Sequence, residues 1–376
     1  MRDEGVAGAR HLYVHLPFCA HRCGYCDFVT AVGRPDQHGA YVEALLAELE
    51  LERSVLAPRL ETIFLGGGTP TFTEPAALEM LLDGLPDADE VTVEANPETV
   101  TPSLARLLSR NRVNRVSLGA QSFQPRLLSV LERRAQPEDV RRAVYVLRGA
   151  GIDNISLDLI YGIPGQAASD LDSDLADALA LEPEHVSCYE LEAKPGTRFV
   201  HANGVELERQ AGSMESYFER VVAALTGAGY RWYETANFCR TEGGRDLRAR
   251  HNLAYWLGRD YVGLGIGAVS TVEAVRRRNA PRLAPYLSAL AEGRQPPREL
   301  ESLDAATRRR ERVMLGLRLD EPLLTSGLEA AIDREALGRL ERLGLVALTG
   351  VNGQETLALT ERGRFLGGGV TAELLT

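Results

Sequence analysis

Of the 42 basic residues in this 376-residue chain, one is a lysine, Lys194. So uneven a split reads as a genomic bias toward arginine rather than a functional signal. Cysteine is scarce too: there are five, three of them close together. No apolar run approaches the ~20 residues that a membrane-spanning helix needs, so none is expected. The opening residues, MRDEGVAGAR, are polar and carry no basic-plus-apolar secretory signal. A reduced, cytoplasmic setting is therefore expected. Positive charge is outweighed, with a formal net charge of -11 and a pI near 5.3. That argues against a nucleic-acid partner held by electrostatics. What remains is an ordinary globular composition, 44% hydrophobic and 25% charged, long enough for one large domain and a smaller one.

The stretch HLYVHLPFCAHRCGYCDF, His11 to Phe28, holds the three clustered cysteines. A short apolar strand ends at Pro17, and Cys19, Cys23 and Cys26 follow in the spacing C-x3-C-x2-C. Thiols so close in sequence can meet one centre at little loop-closure cost. A four-iron cluster takes four thiolates, so three would leave one iron open to another ligand. A zinc knot, a structural cluster or plain buried cysteines are the alternatives. Zinc prefers four ligands and often paired C-x2-C units, and no second pair is present. Cys188 and Cys239 stand alone and read as small buried residues.

Beyond the loop, apolar strands alternate with helices. The strands are expected around 61–65, 90–97, 115–122, 154–161 and 185–192, with helices at 38–56, from 74, 101–110, 137–149, 169–181 and 213–228. Six strand–helix repeats of roughly 30 residues imply parallel strands with right-handed crossovers. The fold class is thus α/β, an open parallel (β/α)6 partial TIM barrel. Sites in such barrels lie at the C-terminal ends of the strands. The cysteines, the glycine-rich GGGTPT at 66–71, Glu94 and Asn96, Gln121 and Asp158 all fall near such ends. Glycine and proline marking turns would explain each one singly but not the set.

Residues 230–238 read as a further strand, followed by a polar segment, HNLAYW at 251–256, and DYVGLGIGAVS at 260–270. These glycines suggest tight backbone packing rather than a dinucleotide fingerprint. From about 305, helices at 305–317 and 333–343 precede two short strands, 345–349 and 355–360. These read as a hairpin turning at 350–353, and Thr360 is placed to cap a last short helix. The expected division is a partial barrel over 1–240, a linker with the HNxxYW and glycine-rich segments over 241–300, and a smaller α+β, winged-helix-like domain over 301–376. Winged helices often bind DNA, but this one is not notably basic.

The run C-x3-C-x-Y-C after a first strand resembles the signature of the radical S-adenosylmethionine (SAM) superfamily. The resemblance implies that Cys19, Cys23 and Cys26 hold a [4Fe-4S] cluster whose fourth iron is chelated by SAM. It also implies one-electron cleavage of SAM to a 5′-deoxyadenosyl radical, the chemistry belonging to the cofactor. Gly67, Gly68 and Thr69 match the glycine motif that contacts SAM in that family. Glu94, Gln121, Arg133 and Asp158 lie where its oxygen-independent coproporphyrinogen oxidase branch places SAM contacts. Tyr13 and Tyr25 fit beside the cluster and the adenine. Taken alone, each rim residue could equally serve a structural hydrogen bond.

LGGGTPT, VEANPE, GAQSF, SLDLIYGIPGQ, HNLAYW, DYVGLGIGAVS and LTERG extend the resemblance over nearly the whole chain. Within the branch the chain is similar to the HemW-type haem chaperones rather than to the oxidase proper. The oxidase carries a further cysteine where Phe28 stands, and a longer N-terminal extension. HNLAYW resembles the HNxxYW motif associated with haem binding, which makes His251 a candidate axial ligand, since neutral imidazole suits iron. A core histidine is the competing reading. One departure is Ala135, where the branch usually has a histidine two residues after the arginine. The resemblance implies haem as a bound cofactor, and apo-haemoproteins of the respiratory chain as partners. Peripheral membrane association through those partners and a homodimer are further expectations. The alternative activity is oxidative decarboxylation of porphyrinogen propionates. A third reading is a zinc-stabilised binding module.

Overall fold

The computed structural model describes residues 8–194, 197–241, 244–351 and 354–376. Six parallel strands form its centre: β1 His11–Leu16, β2 Leu60–Gly67, β3 Ala88–Ala95, β4 Arg115–Gln121, β5 Asn154–Tyr161 and β6 His185–Glu190. They lie side by side in chain order. The crossovers carry α1 His38–Glu52, α2 Pro75–Gly84, α3 Pro102–Arg110, α4 Pro125–Val130, α5 Pro137–Gly149 and α6 Ala168–Leu179. Local chemistry sets their ends. Pro75, Pro102 and Pro137 occupy first helical turns, where no amide partner is missed. The Thr101 side chain accepts from the Leu104 amide at the start of α3.

Each central strand alternates by the period of two that a pleat imposes. In β5, Ile155, Leu157 and Leu159 are buried in the apolar core, while Ser156, Asp158 and Ile160 face a cavity inside the curled sheet. That core is continuous from β1 to the helix α8, Met214–Gly227, of which Val221 and Leu225 are fully buried.

The segment over 241–300 does not behave as a linker. The helix α9, Arg250–Trp256, is followed by β9, Tyr261–Leu264, which pairs in parallel with β1 on the side away from β2. The strands β10 Val269–Val272, β11 Val275–Asn279 and β12 Arg298–Ser302 continue the sheet antiparallel. The glycines make this possible. A Cβ on Gly263 would collide with the Val269 carbonyl, and one on Gly265 with the Tyr41 hydroxyl. Two further expectations are corrected. Residues 230–238 form not one strand but the hairpin of β7 Tyr230–Glu234 and β8 Asn237–Arg240, because Thr235 and Ala236 turn the chain. A helix that the strand–helix count passed over, α7 Arg198–Gln210, precedes α8.

The C-terminal part has its own apolar cluster, centred on Leu317, Leu337, Leu340 and Leu357. Its elements are α11 Ala305–Gly316, α12 Arg334–Arg342, and a three-stranded sheet of β13 Leu323–Leu324, β14 Val346–Val351 and β15 Gln354–Leu359 (α10, Leu283–Ala291, lies earlier against α1). β14 and β15 form the expected hairpin. Asn352 and Gly353 of its expected turn lie outside the described residues. Thr360 caps α13, Glu361–Phe365. The Arg364 guanidinium, 3.7 Å over the Trp232 ring, holds this part to β7. Among the described residues, no helix is long and apolar enough to cross a membrane.

Candidate functional site

A closed barrel of this kind fills its interior with branched apolar side chains. Here the inward positions are largely polar and surround a cavity of about 850 Å³. It is lined by Cys19, Cys23 and Cys26, by Tyr13 and Tyr25, by Gly67, Gly68 and Thr69, and by Glu94, Gln121, Arg133 and Asp158. Every sequence-derived site residue except His251 thus meets one space, brought there from strands spread over some 150 positions.

The cysteine loop leaves β1 and folds over the cavity mouth. None of its cysteines is in a disulfide. The Cys19 thiol lies 3.6 Å from the Thr69 hydroxyl, and Cys23 lies 3.7 Å from His21 Nε2 and 4.0 Å from Arg133 Nη1. His21 Nε2 is in turn hydrogen-bonded to the Glu132 carbonyl at 2.7 Å, which fixes the loop on the chain after α4. Burial pushes the Cys19 and Cys26 thiols up, so metal binding there releases protons. Among the described residues no three His, Cys, Asp or Glu side chains gather about a single ion. A multi-iron cluster, which gives each thiolate its own iron, does not ask for that gathering.

The glycine motif forms the wall beside the loop. Gly67 has φ +111°, and a Cβ there would overlap the His15 ring. A Cβ on Gly68 would sit 2.6 Å from the Pro17 carbonyl. Only glycine allows this approach, and it leaves bare backbone on the cavity. The Gly67 amide donates to Glu94 Oε2 at 3.0 Å. Burial first, and then the Asp158 charge, raise the Glu94 carboxyl to about 7. Burial also raises Asp158, although Ser117 Oγ donates to both its oxygens at 3.0–3.1 Å. Arg133 donates to Asn96 Oδ1 at 2.9 Å and to the Gly119 carbonyl at 2.8 Å. Gln121 sits at φ +65°, a left-handed conformation that costs a non-glycine residue energy and that clusters at ligand sites.

Four buried polar atoms of the cavity lining, Arg133 Nε, Thr92 Oγ1, Thr30 Oγ1 and Glu98 Oε2, have no hydrogen-bond partner among the described residues. Such groups are expensive unless a ligand or water meets them. Free thiols, a bare glycine wall, a guanidinium and two carboxyls therefore fit an iron–sulfur cluster with a polar, zwitterionic co-ligand. Sequence reasoning passed over Ser117, Ser156, His185, Ser187 and Tyr189, which also line the cavity. Their signal was available: they occupy alternate positions of β4, β5 and β6. Ala135 is buried and does not line it.

His251 is elsewhere, and the axial-ligand assignment has to be corrected. The side chain is 1% exposed. Its Nδ1 is hydrogen-bonded to Thr62 Oγ1 at 2.7 Å and its Nε2 to the Tyr255 hydroxyl at 2.8 Å. Both ring nitrogens are engaged, so neither is free for iron. Its amide points to Glu90 Oε1 at 3.3 Å, and its ring stacks on Phe64 at 5.2 Å. Thr62 and Glu90 lie near the N-terminal ends of β2 and β3. The HNLAYW helix, α9, therefore plugs the bottom of the barrel, and its next residue, Asn252, forms part of the cavity floor.

Comparison with known proteins agrees with this geometry. Residues 13–178 match the model of the radical SAM superfamily. The chain is 36% identical over 379 residues to the heme chaperone HemW of Mycobacterium tuberculosis, covering 97% of this chain and 94% of that one. It is 32% identical over 388 residues to the heme chaperone HemW of Bacillus subtilis, covering 96% and 98%. In fold it is similar to the coproporphyrinogen III oxidase HemN of Escherichia coli, a radical SAM enzyme, with a TM-score of 0.82, 23% identity, and 98% and 91% of the two chains covered. The central parallel sheet, the cysteine loop over its C-terminal edge and these full-length likenesses lead to one assignment: the chain belongs to the HemW family of the radical SAM superfamily.

Proposed function

We propose that this protein is a haem chaperone on a radical SAM scaffold. It binds haem and passes it to apo-haemoproteins, with respiratory cytochromes as recipients, in the cytoplasm or at a membrane reached through those partners. The observation that carries the reading is the 36% identity, over 97% of the chain, to a protein named heme chaperone HemW. The cavity supports the scaffold half of it. Cys19, Cys23 and Cys26 are the residues that would hold a [4Fe-4S] cluster. Gly67, Gly68, Thr69, Glu94, Gln121, Arg133 and Asp158 are those that would take SAM, with Tyr13 and Tyr25 beside them. When bound, the pair supplies one-electron chemistry.

The chain's own part is positional. Asn96 and the Gly119 carbonyl aim Arg133, Ser117 aims Asp158, and the Gly67 amide aims Glu94. Charge is thus laid out before a ligand arrives, which lowers the ordering cost of binding. A neutral Glu94 in its raised range can donate a hydrogen bond as well as accept one.

The test is a haem titration of the anaerobically reconstituted protein, followed by gel filtration. Haem co-eluting near one per chain is expected. Failure to bind haem with the cluster intact overturns the chaperone reading. Turnover of coproporphyrinogen III with SAM and a reductant then becomes the decisive assay, as it tests the oxidase alternative. A colourless, iron-free protein after reconstitution would instead point to the zinc-stabilised module.

A further inference from the structure

With His251 withdrawn into the floor, the haem-chaperone reading, on which this inference rests, lacks a place for haem. We propose that the mouth of the cavity is that place: a dock for a planar dicarboxylate tetrapyrrole, with Phe28 against the macrocycle and Arg22 and Arg134 on the carboxylates.

Phe28 is 62% exposed, although it is a large aromatic side chain. It sits two residues past the last loop cysteine and borders the cavity. An exposed aromatic ring beside a cavity gains by covering its face with a flat apolar partner. Arg22 and Arg134 border the same mouth and are exposed. They flank one seam. There the cysteine loop docks on the chain after α4, through His21 on the Glu132 carbonyl and Arg133 beside Cys23. Among the described residues Arg22 spends only its Nε, on the Cys26 carbonyl. Arg134 makes no ion pair among the described residues. Two guanidiniums with open forks on one seam suit two carboxylates.

The acids at the mouth do not cancel this arrangement. Asp27 and Glu192 are both within ion-pair reach of Lys194, at 3.8 and 2.8 Å. Glu190 ends β6 and Glu192 lies two residues beyond it, away from the chain after α4 in sequence and in sheet order. Glu98 also borders the cavity, where its charge offsets that of Arg133. The mouth therefore carries both signs: Lys194 stands between Asp27 and Glu192, while Arg22 and Arg134 at the seam have no carboxylate partner among the described residues. A dianion is oriented with its carboxylates toward Arg22 and Arg134 and its ring over Phe28.

The experiment titrates the anaerobically reconstituted protein with ferric haem and, separately, with haem dimethyl ester, whose carboxylates are blocked. Phe28→Ala and the double variant Arg22→Glu/Arg134→Glu are compared with the parent, Phe28→Tyr and His251→Ala. Iron content is measured in each sample, so that loss of haem is not loss of cluster. Phe28→Ala and the arginine variant should each weaken haem binding ~5- to 10-fold, with Phe28→Tyr near the parent. The ester should bind the parent more weakly than haem does and should be indifferent to the arginine changes. The dock is overturned if the parent binds haem while Phe28→Ala and the arginine variant bind it equally well. It is likewise overturned if the ester binds as tightly as haem. Should the parent bind no haem at all, the chaperone reading falls and the dock falls with it. The arginine variant, which leaves Phe28 in place, decides the matter if Phe28→Ala disturbs the loop.

Discussion

The two ends of the barrel are built from the same kinds of residue and treat them oppositely. At the N-terminal end, His11 Nδ1 and His251 Nδ1 share the Thr62 hydroxyl at 2.9 and 2.7 Å, His251 Nε2 meets Tyr255, and Glu90 holds the start of α9 beside the Arg115 charge. These polar groups are buried among themselves. At the C-terminal end, three thiols, two raised carboxyls and an incompletely paired guanidinium face a cavity. A histidine at the first end is a fastener, whereas a cysteine or carboxyl at the second is available. Residue type alone does not separate the two; the end of the strand on which it sits does.

That contrast can be broken by mutation. The largest effect is expected from Cys23→Ser, which should abolish the iron content and brown colour of the reconstituted protein while leaving its unfolding midpoint close to the parent's. Retained iron would mean that the rim thiols are not the holders. His251→Ala should do the reverse. It removes a buried ring and strands Thr62 and Tyr255, a loss of ~2–4 kcal/mol in denaturant unfolding, with haem affinity kept by the folded fraction. A large loss of haem affinity at unchanged stability would move His251 from fastener to ligand. Gly67→Ala should fall between. Its Cβ meets His15 and its φ is unfavourable for alanine, so ~1–3 kcal/mol of stability is lost, together with SAM binding measured by calorimetry.

Local signals made the rim legible. The cysteine spacing, the glycine run and the strand-end positions of Glu94 and Asp158 are each contained in a few residues, and the strand order followed from regular alternation. The floor was not legible, because it is made by distance. Thr62 lies 189 positions from His251, and no local pattern says that both ring nitrogens will be taken. The same holds for β9, which returns to pair with β1 after the whole barrel has been laid down. Its glycines signalled close backbone approach but not the partner. Phe28 was visible only as a missing cysteine; its exposure needed coordinates.

The finest test of the contrast is the pH dependence of stability, where the two ends have opposite signs. Burial holds the ring of His251 down to about 3 and that of His11 to about 4. The unfolded chain binds more protons there between each of these values and 6.5. Stability therefore rises with pH across that window and is lost as pH falls through it, by ~1–2 kcal/mol per histidine at pH 5. Glu94 works the other way. Its carboxyl is raised from 4.5 to about 7, so the native state binds the extra proton between these limits, and its contribution declines as pH rises from 4.5 toward 7. Glu94→Gln should remove that decline, gaining ~3 kcal/mol on the parent at pH 8 relative to pH 4.5. His251→Asn should flatten the acid limb instead. Urea unfolding from pH 5 to 8 on the three proteins measures both slopes. If Glu94→Gln has the parent's profile above pH 6.5, the carboxyl is already ionised and solvated at neutral pH, and the rim does not hold it in reserve for a ligand.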